Sequence, residues 1–341
     1  MDRFVTLKRV AQEAGVSVYS ASRALNGLSG VSEATRDRVV KASETLGYVP
    51  NRAAKLLRGE DANIVGILTA NAANVYYAKL VAGIEDVVRP RGLHTLASDA
   101  IDGENYSTER EDSFIETMLQ LRVAAMVLSH QIQPVNLQRL MDRGIPVIYV
   151  DCTPPAEFSE LPSAMSDGES ISVEVGRHFA WHGYRHWAYL GHNAGWPTRL
   201  GRERGITAAA TQAGAHLSIV EGSNSIESAY QAMTHFLSTD QGSQMDALYT
   251  SNEPLLIGAI KALRETGKSI GTDLGLISFD EFDWSTAVET PITVVDQQIR
   301  SLGRHAGALV VAAGGAAHVV DAEPMPAPSL TIRQSCGCPP A

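Results

Sequence analysis

Four histidines lie within fifteen residues of one another, at spacings that could hold a metal ion. They are His178, His182, His186 and His192, and the first two are four residues apart. On a helix this spacing brings two imidazoles to one face, where they can bind zinc. The pair His182-Gly183 indicates a helix end, which separates His186 and His192 from that face. We therefore expect structural histidines and no metal site.

Two cysteines near the end of the chain, in Cys336-Gly337-Cys338, could also bind a metal ion or form a disulfide. Two prolines follow them, which is typical of a terminal tail. The chain has only three cysteines, too few for a disulfide framework, so a reducing cytoplasm is the expected compartment. We expect residues 335–341 to be an ordinary reduced tail, with no metal and no cofactor.

Catalytic signatures are absent from the sequence. It contains no G-x-S-x-G elbow, H-E-x-x-H helix, Walker loop or G-x-G-x-x-G turn. Asp151 and Asp280 could form an acid–base pair of the kind that glycosidases use, and this is the enzymatic alternative. We expect the protein not to be an enzyme.

The charge of the chain is unevenly distributed. The 341 residues carry a formal net charge of −10, with 44% hydrophobic and 19% charged residues, as in a globular protein of two or three domains. No stretch approaches the roughly 18 apolar residues of a membrane span, and the N-terminus lacks a signal-peptide core. Residues 1–60 hold ten basic and six acidic side chains, a net +4, whereas the rest of the chain carries −14. Such asymmetry is typical of a nucleic-acid-binding module joined to another domain.

The basic segment is predicted to form three short helices. Thr6, Ser17 and Ser32 each stand where a side-chain oxygen can cap a helix N-terminus. The helices are expected over residues 7–14, over residues 18–25, and from Ser32 to a stop at Gly47. Two short helices joined by a glycine-containing turn make a helix-turn-helix, whose second helix enters the major groove of DNA.

Four segments of this module resemble the DNA-binding headpiece of the LacI/GalR repressors in order and spacing, over about 55 residues. They are Thr6–Ser17, Ser22–Gly27, Val31–Arg36 and Leu46–Asn51. The alternative is a helical hairpin that merely packs. The resemblance implies that base edges are read by Val18, Tyr19, Ser22 and Arg23, with Tyr19 alternatively contacting phosphate. An arginine can donate two hydrogen bonds to one guanine, so Arg23 is the strongest candidate. The residues expected to fix register on phosphates are Thr6, Ser17, Ser20, Asn26 and Thr35.

Residues 51–59 match the hinge helix of the same family. In that family the hinge orders when two copies pair over the minor groove of the operator. The resemblance makes Leu57 the side chain that wedges between base steps, with Ala54 packing against its dimer mate and Asn51 beginning the hinge. The alternative is a flexible linker.

The acidic remainder alternates short apolar strands with amphipathic helices, in two series that begin near residues 63 and 170. This alternation predicts doubly wound parallel sheets in two lobes. The predicted fold class is a small all-α helix-turn-helix headpiece with a hinge helix, joined to an α/β two-lobed core resembling periplasmic binding proteins. The domains are placed at 1–50 (headpiece), 51–61 (hinge), 62–163 plus 293–322 (first lobe), 164–292 plus 323–334 (second lobe) and 335–341 (tail).

Polar side chains that follow strand ends or match the family's cleft positions are expected to bind an effector between the lobes. These residues are Tyr76, Tyr77, Asp151, Trp196, Arg202, Asn252, Asp280 and Gln297. Carboxylates, amides and a guanidinium suit polyhydroxylated ligands. Two departures from the family put the ligand in question. Residues 222–225 lack the stacking aromatic of many relatives, which Trp196 or Trp284 could replace, and Glu253-Pro254 stands where many have aspartate.

The resemblance implies a ligand-responsive, sequence-specific DNA-binding regulator, most simply a repressor of carbohydrate-metabolism genes. Two copies would bind a palindromic operator of double-stranded DNA, and a sugar or polyol would bind in the cleft. No heptad repeat follows the last core strand, so we expect a homodimer, without a membrane partner. Two alternatives stay open: a sugar-binding protein without a DNA role, and a co-repressor-type regulator of a non-sugar metabolite.

Overall fold

The structure is a computed structural model. It describes residues 5–48, 63–71, 74–102, 105–192, 198–314, 325 and 327–339. The contacts between residues divide the chain into two units, Met1–Asp61 and Ala62–Ala341. No helix in these described ranges is long and apolar enough to cross a membrane.

The described part of the first unit is a bundle of three short helices. They are α1 (Leu7–Glu13), α2 (Val18–Leu25) and α3 (Glu33–Leu46). The N-termini are capped as predicted, since Thr6, Ser17 and Ser32 each accept a hydrogen bond from a backbone N–H three residues later. Gly47 ends α3 with a φ of +63°. The small core between the helices contains Val10, Ala11, Ala21, Ala24, Val39 and Ala42. The predicted helix-turn-helix is confirmed.

The first lobe of the second unit is a parallel five-stranded sheet with helices on its faces. Its elements are β1 (Ile64–Thr69), α4 (Val75–Val88), β2 (His94–Asp99), the hairpin β3 (Ile101–Asp102) and β4 (Asn105–Tyr106), α5 (Thr108–Leu121), β5 (Ala125–Leu128), α6 (Pro134–Asp142), β6 (Val147–Val150) and β7 (Ser163–Ala164). The strand order is β2-β1-β5-β6-β7, which places β5 at the centre of the sheet and β2 and β7 at its edges.

The second lobe repeats this plan with a six-stranded sheet. Its elements are α7 (Gly168–Trp181), β8 (His186–His192), α8 (Arg199–Ala213), β9 (His216–Gly222), α9 (Ile226–Leu237), α10 (Asp240–Gln244), β10 (Ala247–Thr250), α11 (Glu253–Thr266), β11 (Gly275–Phe279), β12 (Thr293–Asp296) and, after a return through the first lobe, β13 (Ser329–Thr331). The order is β13-β12-β11-β10-β8-β9, with β13 antiparallel to β12 and the other pairs parallel. The predicted helical headpiece and α/β core with parallel sheets are confirmed, and the predicted hinge helix lies outside the described residues.

Helix α12 (Ile299–Ala313) was not among the predicted elements, and it packs along α4 of the first lobe. Two glycines face each other at this contact. A Cβ on Gly83 would lie 2.2 Å from the carbonyl oxygen of Arg300, and a Cβ on Gly303 would lie 2.2 Å from that of Leu80. The two helix backbones therefore approach more closely than any larger side chain permits.

Two predicted domain boundaries are displaced. Thr293–Asp296 pairs with β11 in the second sheet, so the first-lobe segment predicted from residue 293 begins after Asp296. Ser163–Ala164 pairs with β6 in the first sheet, so the first crossing comes after Ala164 rather than after residue 163. Each of these strands is the last one before the chain crosses to the other lobe. An apolar strand pattern does not indicate which of the two sheets the strand joins.

The predicted tail at 335–341 is not free at its start, because Ser335 and Cys336 are fully buried. The Ser335 hydroxyl donates to the carbonyl oxygen of Leu276 at 2.6 Å and accepts from the Thr293 N–H at 2.7 Å. These bonds fasten the segment to two strands of the second sheet. Residues 335 and 336 therefore belong to the second lobe.

Candidate ligand-binding cleft and DNA-contact surface

A polar cleft lies between the two lobes, at the carboxyl ends of their strands. Ligands bind at this position in open α/β sheets. The cleft is lined by Asn74, Tyr76, Tyr77, Asp151, His192, Thr198, Arg202, Asn224, Asn252 and Asp280. The predicted effector-binding residues among them are Tyr76, Tyr77, Asp151, Arg202, Asn252 and Asp280.

Two carboxylates, one from each lobe, face the cleft from matching places. Asp151 follows β6 and Asp280 follows β11, and both have positive φ, 51° and 77° respectively. The N–H of Asp151 donates to Ala164 and that of Asp280 donates to Val295, each at 2.9 Å, on the neighbouring strand of its sheet. A left-handed conformation is costly for a residue with a side chain. At each strand end it turns the chain where the carboxylate lines the cleft.

Arg202, in the first turns of α8, lies deep in the cleft and is only 4% exposed. One terminal nitrogen, Nη1, donates to the carbonyl oxygen of Ser251 at 2.5 Å, and the guanidinium carbon lies 3.6 Å from the centre of the Phe279 ring. Its Nε is buried and has no hydrogen-bond partner within the described part of the chain. A buried donor without an acceptor is costly, and a ligand oxygen would satisfy it.

Burial and mutual charge set the protonation of these groups. Burial raises the pKa of Asp280 to about 7, although the Arg202 guanidinium and a hydrogen bond from Gln297 oppose the rise. Burial likewise raises the pKa of Asp151 above its ordinary value, again against the effect of Arg202. The cleft therefore presents one guanidinium and two carboxyl groups, one of which titrates near neutral pH.

Asn252 organises the second-lobe wall of the cleft. Its Oδ1 caps α11 by accepting from the N–H of Leu255 at 3.1 Å. Its Nδ2 donates to Asn224 Oδ1 at 2.8 Å and lies 3.1 Å from His192 Nε2. Burial, with the charges of Arg202 and Arg199, lowers the pKa of His192 to about 3, so this ring is neutral and can exchange hydrogen bonds.

Four lining residues were missed by sequence reasoning: Asn74, His192, Thr198 and Asn224. His192 is the last residue of β8, so the strand-end rule that identified Asp280 could have found it. Asn224 lies in the segment 222–225, where the missing aromatic attracted attention instead of the amide. Asn74 caps α4 by accepting from the N–H of Tyr76 at 2.9 Å, a role that a sequence does not distinguish from ligand contact.

Three further residues, Gln297, Trp284 and Trp196, were associated with the ligand from the sequence. Gln297 is fully buried, donates to Asp280 and is not among the residues that line the cleft, so its contact with a ligand stays a prediction. Trp284 packs at a tilt of 35° against Phe282 and donates to Glu253 at 2.6 Å, and it is not among the residues that line the cleft. Trp196 lies outside the described residues.

The exposed face of α2 carries the predicted base-reading residues. Val18 and Tyr19 are 46% and 70% exposed although both are large and apolar, and Ser22 and Arg23 are partly buried. The Arg23 guanidinium folds back, with Nε donating to the carbonyl oxygen of Ser29 at 2.8 Å and Nη1 donating to the Tyr19 hydroxyl at 3.1 Å. To bind a guanine, Arg23 must exchange these contacts for the base.

Four of the residues predicted to contact phosphates lie at helix N-termini, and the fifth, Asn26, lies at a C-terminus. Ser17 and Ser20 meet at 2.9 Å at the start of α2, and Thr35 accepts from Ser32 at the start of α3, as Thr6 caps α1. Helix N-termini of this kind suit phosphate binding. Asn26 instead lies at the C-cap of α2, where its Nδ2 is 3.5 Å from the Ser22 hydroxyl.

A further arginine fixes the end of α2 and was not predicted. Arg36 of α3 donates to the carbonyl oxygens of Ala24 at 2.8 Å and Leu28 at 2.9 Å. These bonds tie α3 to the C-terminal end of α2. The hinge residues Asn51, Ala54 and Leu57 lie outside the described residues.

Comparison with known proteins matches both parts of the chain to family models. Residues 6–51 match the model of bacterial regulatory proteins of the lacI family. Residues 177–336 match the periplasmic binding protein-like domain. The first match covers the three-helix unit, and the second covers most of the second lobe with the return through the first.

Whole-length relatives agree with these models. The chain is 26% identical to catabolite control protein A of Priestia megaterium over 304 residues, which cover 88% of this chain and 89% of the relative. It is 26% identical to the lactose operon repressor of Escherichia coli K12 over 312 residues, covering 88% and 82%. A crystal structure of the Lac repressor dimer bound to operator and the anti-inducer ONPF superposes with a TM-score of 0.80 at 23% identity, covering 98% and 99%.

A helix-turn-helix unit joined to a two-lobed α/β core defines a DNA-binding regulator with a ligand-binding domain. The chain combines a DNA-binding domain of the lacI family at residues 6–51 with a periplasmic binding protein-like domain, the arrangement of its LacI-type relatives. These relatives are transcriptional regulators and repressors rather than enzymes.

Proposed function

We propose that the protein is a homodimeric repressor of carbohydrate-metabolism genes whose DNA binding responds to a sugar or polyol. Two copies of the surface formed by Val18, Tyr19, Ser22 and Arg23 bind the half-sites of a palindromic operator. The effector binds in the cleft and favours one arrangement of the lobes. Effector and DNA binding are coupled by about 1–3 kcal/mol, the usual range for such coupling.

The arrangement of Asp151, Arg202 and Asp280 carries the effector proposal. Each hydroxyl of a sugar can donate one hydrogen bond and accept others. The two carboxyl groups accept, and the unpartnered Nε of Arg202 donates, so neighbouring hydroxyls of one ligand can satisfy all three side chains. An apolar ligand would leave these buried groups unpaired, at a cost of about 1–3 kcal/mol for each. The cleft therefore favours a polyhydroxylated ligand.

Two relatives regulate sugar operons, which supports a carbohydrate effector. One is the lactose operon repressor, another is the ribose operon repressor of Bacillus subtilis strain 168, which is 27% identical over 308 residues. A regulator of the same fold, CelR, has been solved as a cellobiose complex. Cellobiose is thus a polyhydroxylated ligand of a protein with this architecture. The polar side chains in the cleft of this chain suit a ligand of the same kind.

A ligand screen by thermal unfolding tests the effector proposal. Sugars, polyols and, for the non-sugar alternative, nucleobases are added to the native chain and to two variants. Arg202→Ala removes the cleft guanidinium, and Arg204→Ala removes an exposed arginine of the same helix that pairs with Glu169. An effector at 100 times its Kd stabilises the protein by about 2.7 kcal/mol. We expect stabilisation by a sugar or polyol in native protein and Arg204→Ala, and none in Arg202→Ala; stabilisation by nucleobases alone contradicts the proposal.

Footprinting on the DNA upstream of the gene, at several salt concentrations, tests the DNA proposal. Arg23→Ala should weaken operator binding by about 1–3 kcal/mol and reduce discrimination against mismatched sites. Arg38→Ala, which removes an exposed arginine of α3, should leave discrimination unchanged. Binding that is absent or insensitive to salt would contradict the proposal and favour a sugar-binding protein without a DNA role.

A further inference from the structure

Four potential metal ligands from two distant parts of the chain meet at the C-terminal end of α7. His178 lies in the last turn of that helix and His182 is its C-cap residue. Cys336 and Cys338 lie in the segment that follows β13. One nitrogen or sulfur atom of each residue lies within 4.8 Å of the corresponding atoms of the other three. From sequence alone the two pairs were discounted separately, whereas the fold brings them together.

The two distances from Cys338 to the histidines fall in the range of a tetrahedral site. Cys338 Sγ lies 3.3 Å from His182 Nε2 and 3.8 Å from His178 Nε2. With zinc bonds of about 2.3 Å to sulfur and about 2.0 Å to nitrogen, tetrahedral ligand atoms lie about 3.3–3.8 Å apart. The Cys336 thiol donates a weak hydrogen bond to the carbonyl oxygen of Arg333 at 3.3 Å, which it loses on deprotonation. An ion can therefore enter with only small movements of the side chains.

The backbone between the cysteines is shaped to bring both thiols to the histidines. Gly337 has a φ of +94°, and a Cβ there would lie 2.5 Å from the Tyr184 hydroxyl oxygen, so only glycine fits. The Tyr184 hydroxyl donates to the carbonyl oxygen of Cys336 at 3.1 Å, and its ring stacks on His182 with centroids 5.5 Å apart. One tyrosine thus positions a cysteine and a histidine, as outer partners do in metal sites.

We propose that His178, His182, Cys336 and Cys338 form a structural Zn²⁺ site. Two thiolates and two neutral imidazoles are a ligand set that zinc prefers, and four protein ligands fill its coordination shell. The two thiolates balance the charge of the ion, and binding releases their two protons. The site lies at the C-terminal end of α7, and at the other end a Cβ on Gly168 would lie 3.3 Å from Arg202 Cγ of the cleft, so the ion fastens the C-terminal segment rather than contacting the effector.

Metal analysis of the full chain tests the proposal without reference to DNA binding. The protein is purified in a reducing buffer without chelator, and its zinc content is measured by mass spectrometry. Stripped protein is then titrated with Co²⁺. We expect one ion per chain, with the visible bands of tetrahedral Co²⁺ and thiolate-to-metal charge transfer in the near ultraviolet. A chelator should lower the melting temperature of the native protein by a few degrees.

Three variants locate the site. Cys338→Ser and His182→Ala should each lose the stoichiometric ion and the response to chelator, whereas His216→Ala, an exposed histidine outside the cluster, should keep both. The Co²⁺ spectrum of the native protein decides the question even if a variant does not fold. Octahedral Co²⁺ bands, unchanged metal content in both cluster variants, or a Cys336–Cys338 disulfide in the reduced preparation would each overturn the proposal.

Discussion

Gln297 holds Asp280 in place, because its Nε2 donates a hydrogen bond to Asp280 Oδ1. Its Oε1 accepts a second hydrogen bond from the Ser166 hydroxyl at 2.7 Å. Ser166 and Gln297 lie on two of the segments by which the chain crosses between lobes. A single buried amide therefore links both crossings to a carboxyl group of the cleft, and a ligand that contacts Asp280 is coupled to the connection between the lobes.

Replacing this amide should weaken effector binding without removing a cleft group. Gln297→Met keeps the volume of the side chain but leaves Asp280 and Ser166 without their partner. Losing hydrogen bonds to a buried carboxyl costs about 1.5–3 kcal/mol, so we expect effector affinity to fall about tenfold or more. Isothermal titration measures the affinity. Gln138→Met, which removes an exposed amide bonded to Asp142, is the control and should bind normally; equal affinity in both variants would refute the positioning role.

The pKa of Asp280 predicts how stability depends on pH. An aspartate in an unfolded chain titrates near about 4, and in the folded protein the pKa of Asp280 is raised to about 7. Between these values the folded state binds more protons, so the free energy of unfolding contributed by this group falls as pH rises and is constant above about 7. The slope is at most about 1.4 kcal/mol per pH unit.

Denaturant unfolding between pH 4 and pH 8 measures this contribution. Across that window Asp280→Asn should lose less stability than the native protein, and the remaining loss includes the contribution of Asp151, whose pKa is also raised. Asp142→Asn, at an exposed position, should follow the native curve. If the native and Asp280→Asn curves are parallel, the pKa of Asp280 is not raised.

The glycine contact between α4 and α12 predicts that a Gly→Ala substitution there destabilises the protein instead of stabilising it. Gly→Ala inside a helix ordinarily stabilises by about 1 kcal/mol. Gly303→Ala should instead destabilise by about 2–3 kcal/mol, since its Cβ meets the backbone of α4 and overpacking of this kind is costly. Chemical denaturation provides the measurement. Gly314→Ala, whose Cβ would have no neighbour closer than 3.6 Å, should be nearly neutral, and the same result at both positions would disprove a tight contact.

Replacing Arg36 should lower the affinity for DNA without changing which operator sequences are preferred. Arg36→Ala removes two hydrogen bonds that fix the C-terminal end of α2, which should cost the headpiece about 1–2 kcal/mol. Operator affinity should fall while the ranking of operator variants is preserved, because the side chains on α2 are unchanged. Competition binding on mutated operators measures the ranking. A changed preference at one base would show that Arg36 itself reads sequence.

The sequence predicts the cleft well where a single local rule applies. Asp151 and Asp280 each follow a short apolar strand, and parallel strands bring their carboxyl ends to one edge, so both positions could be predicted without coordinates. Gln297 satisfies the same rule but donates to Asp280 and is not among the residues that line the cleft, because the direction of a side chain after a strand depends on the backbone turn. Strand ends therefore identify the neighbourhood of a site more reliably than its contacts.

The features that sequence analysis missed are contacts between distant parts of the chain. His182 and Cys338 are in contact although they are 156 residues apart in the chain. This contact depends on where β13 packs, which a local sequence pattern does not predict. Likewise, small residues at 335–338 resemble a tail, although Ser335 is fully buried by two strands. Spacing within one helix or loop cannot reveal such convergence.

The pairing of α4 with α12 also determines when the first lobe can be completed during synthesis. Arg300 and Asp86, joined by an ion pair across this contact, are 214 residues apart in the chain. A nascent chain emerges from the ribosome N-terminus first, so the face of α4 that carries Gly83 is uncovered until nearly the whole protein has been made. The first lobe begins early in the chain but is thus among the last parts to complete its packing. That packing requires a hydrogen atom instead of a side chain at Gly83 and at Gly303.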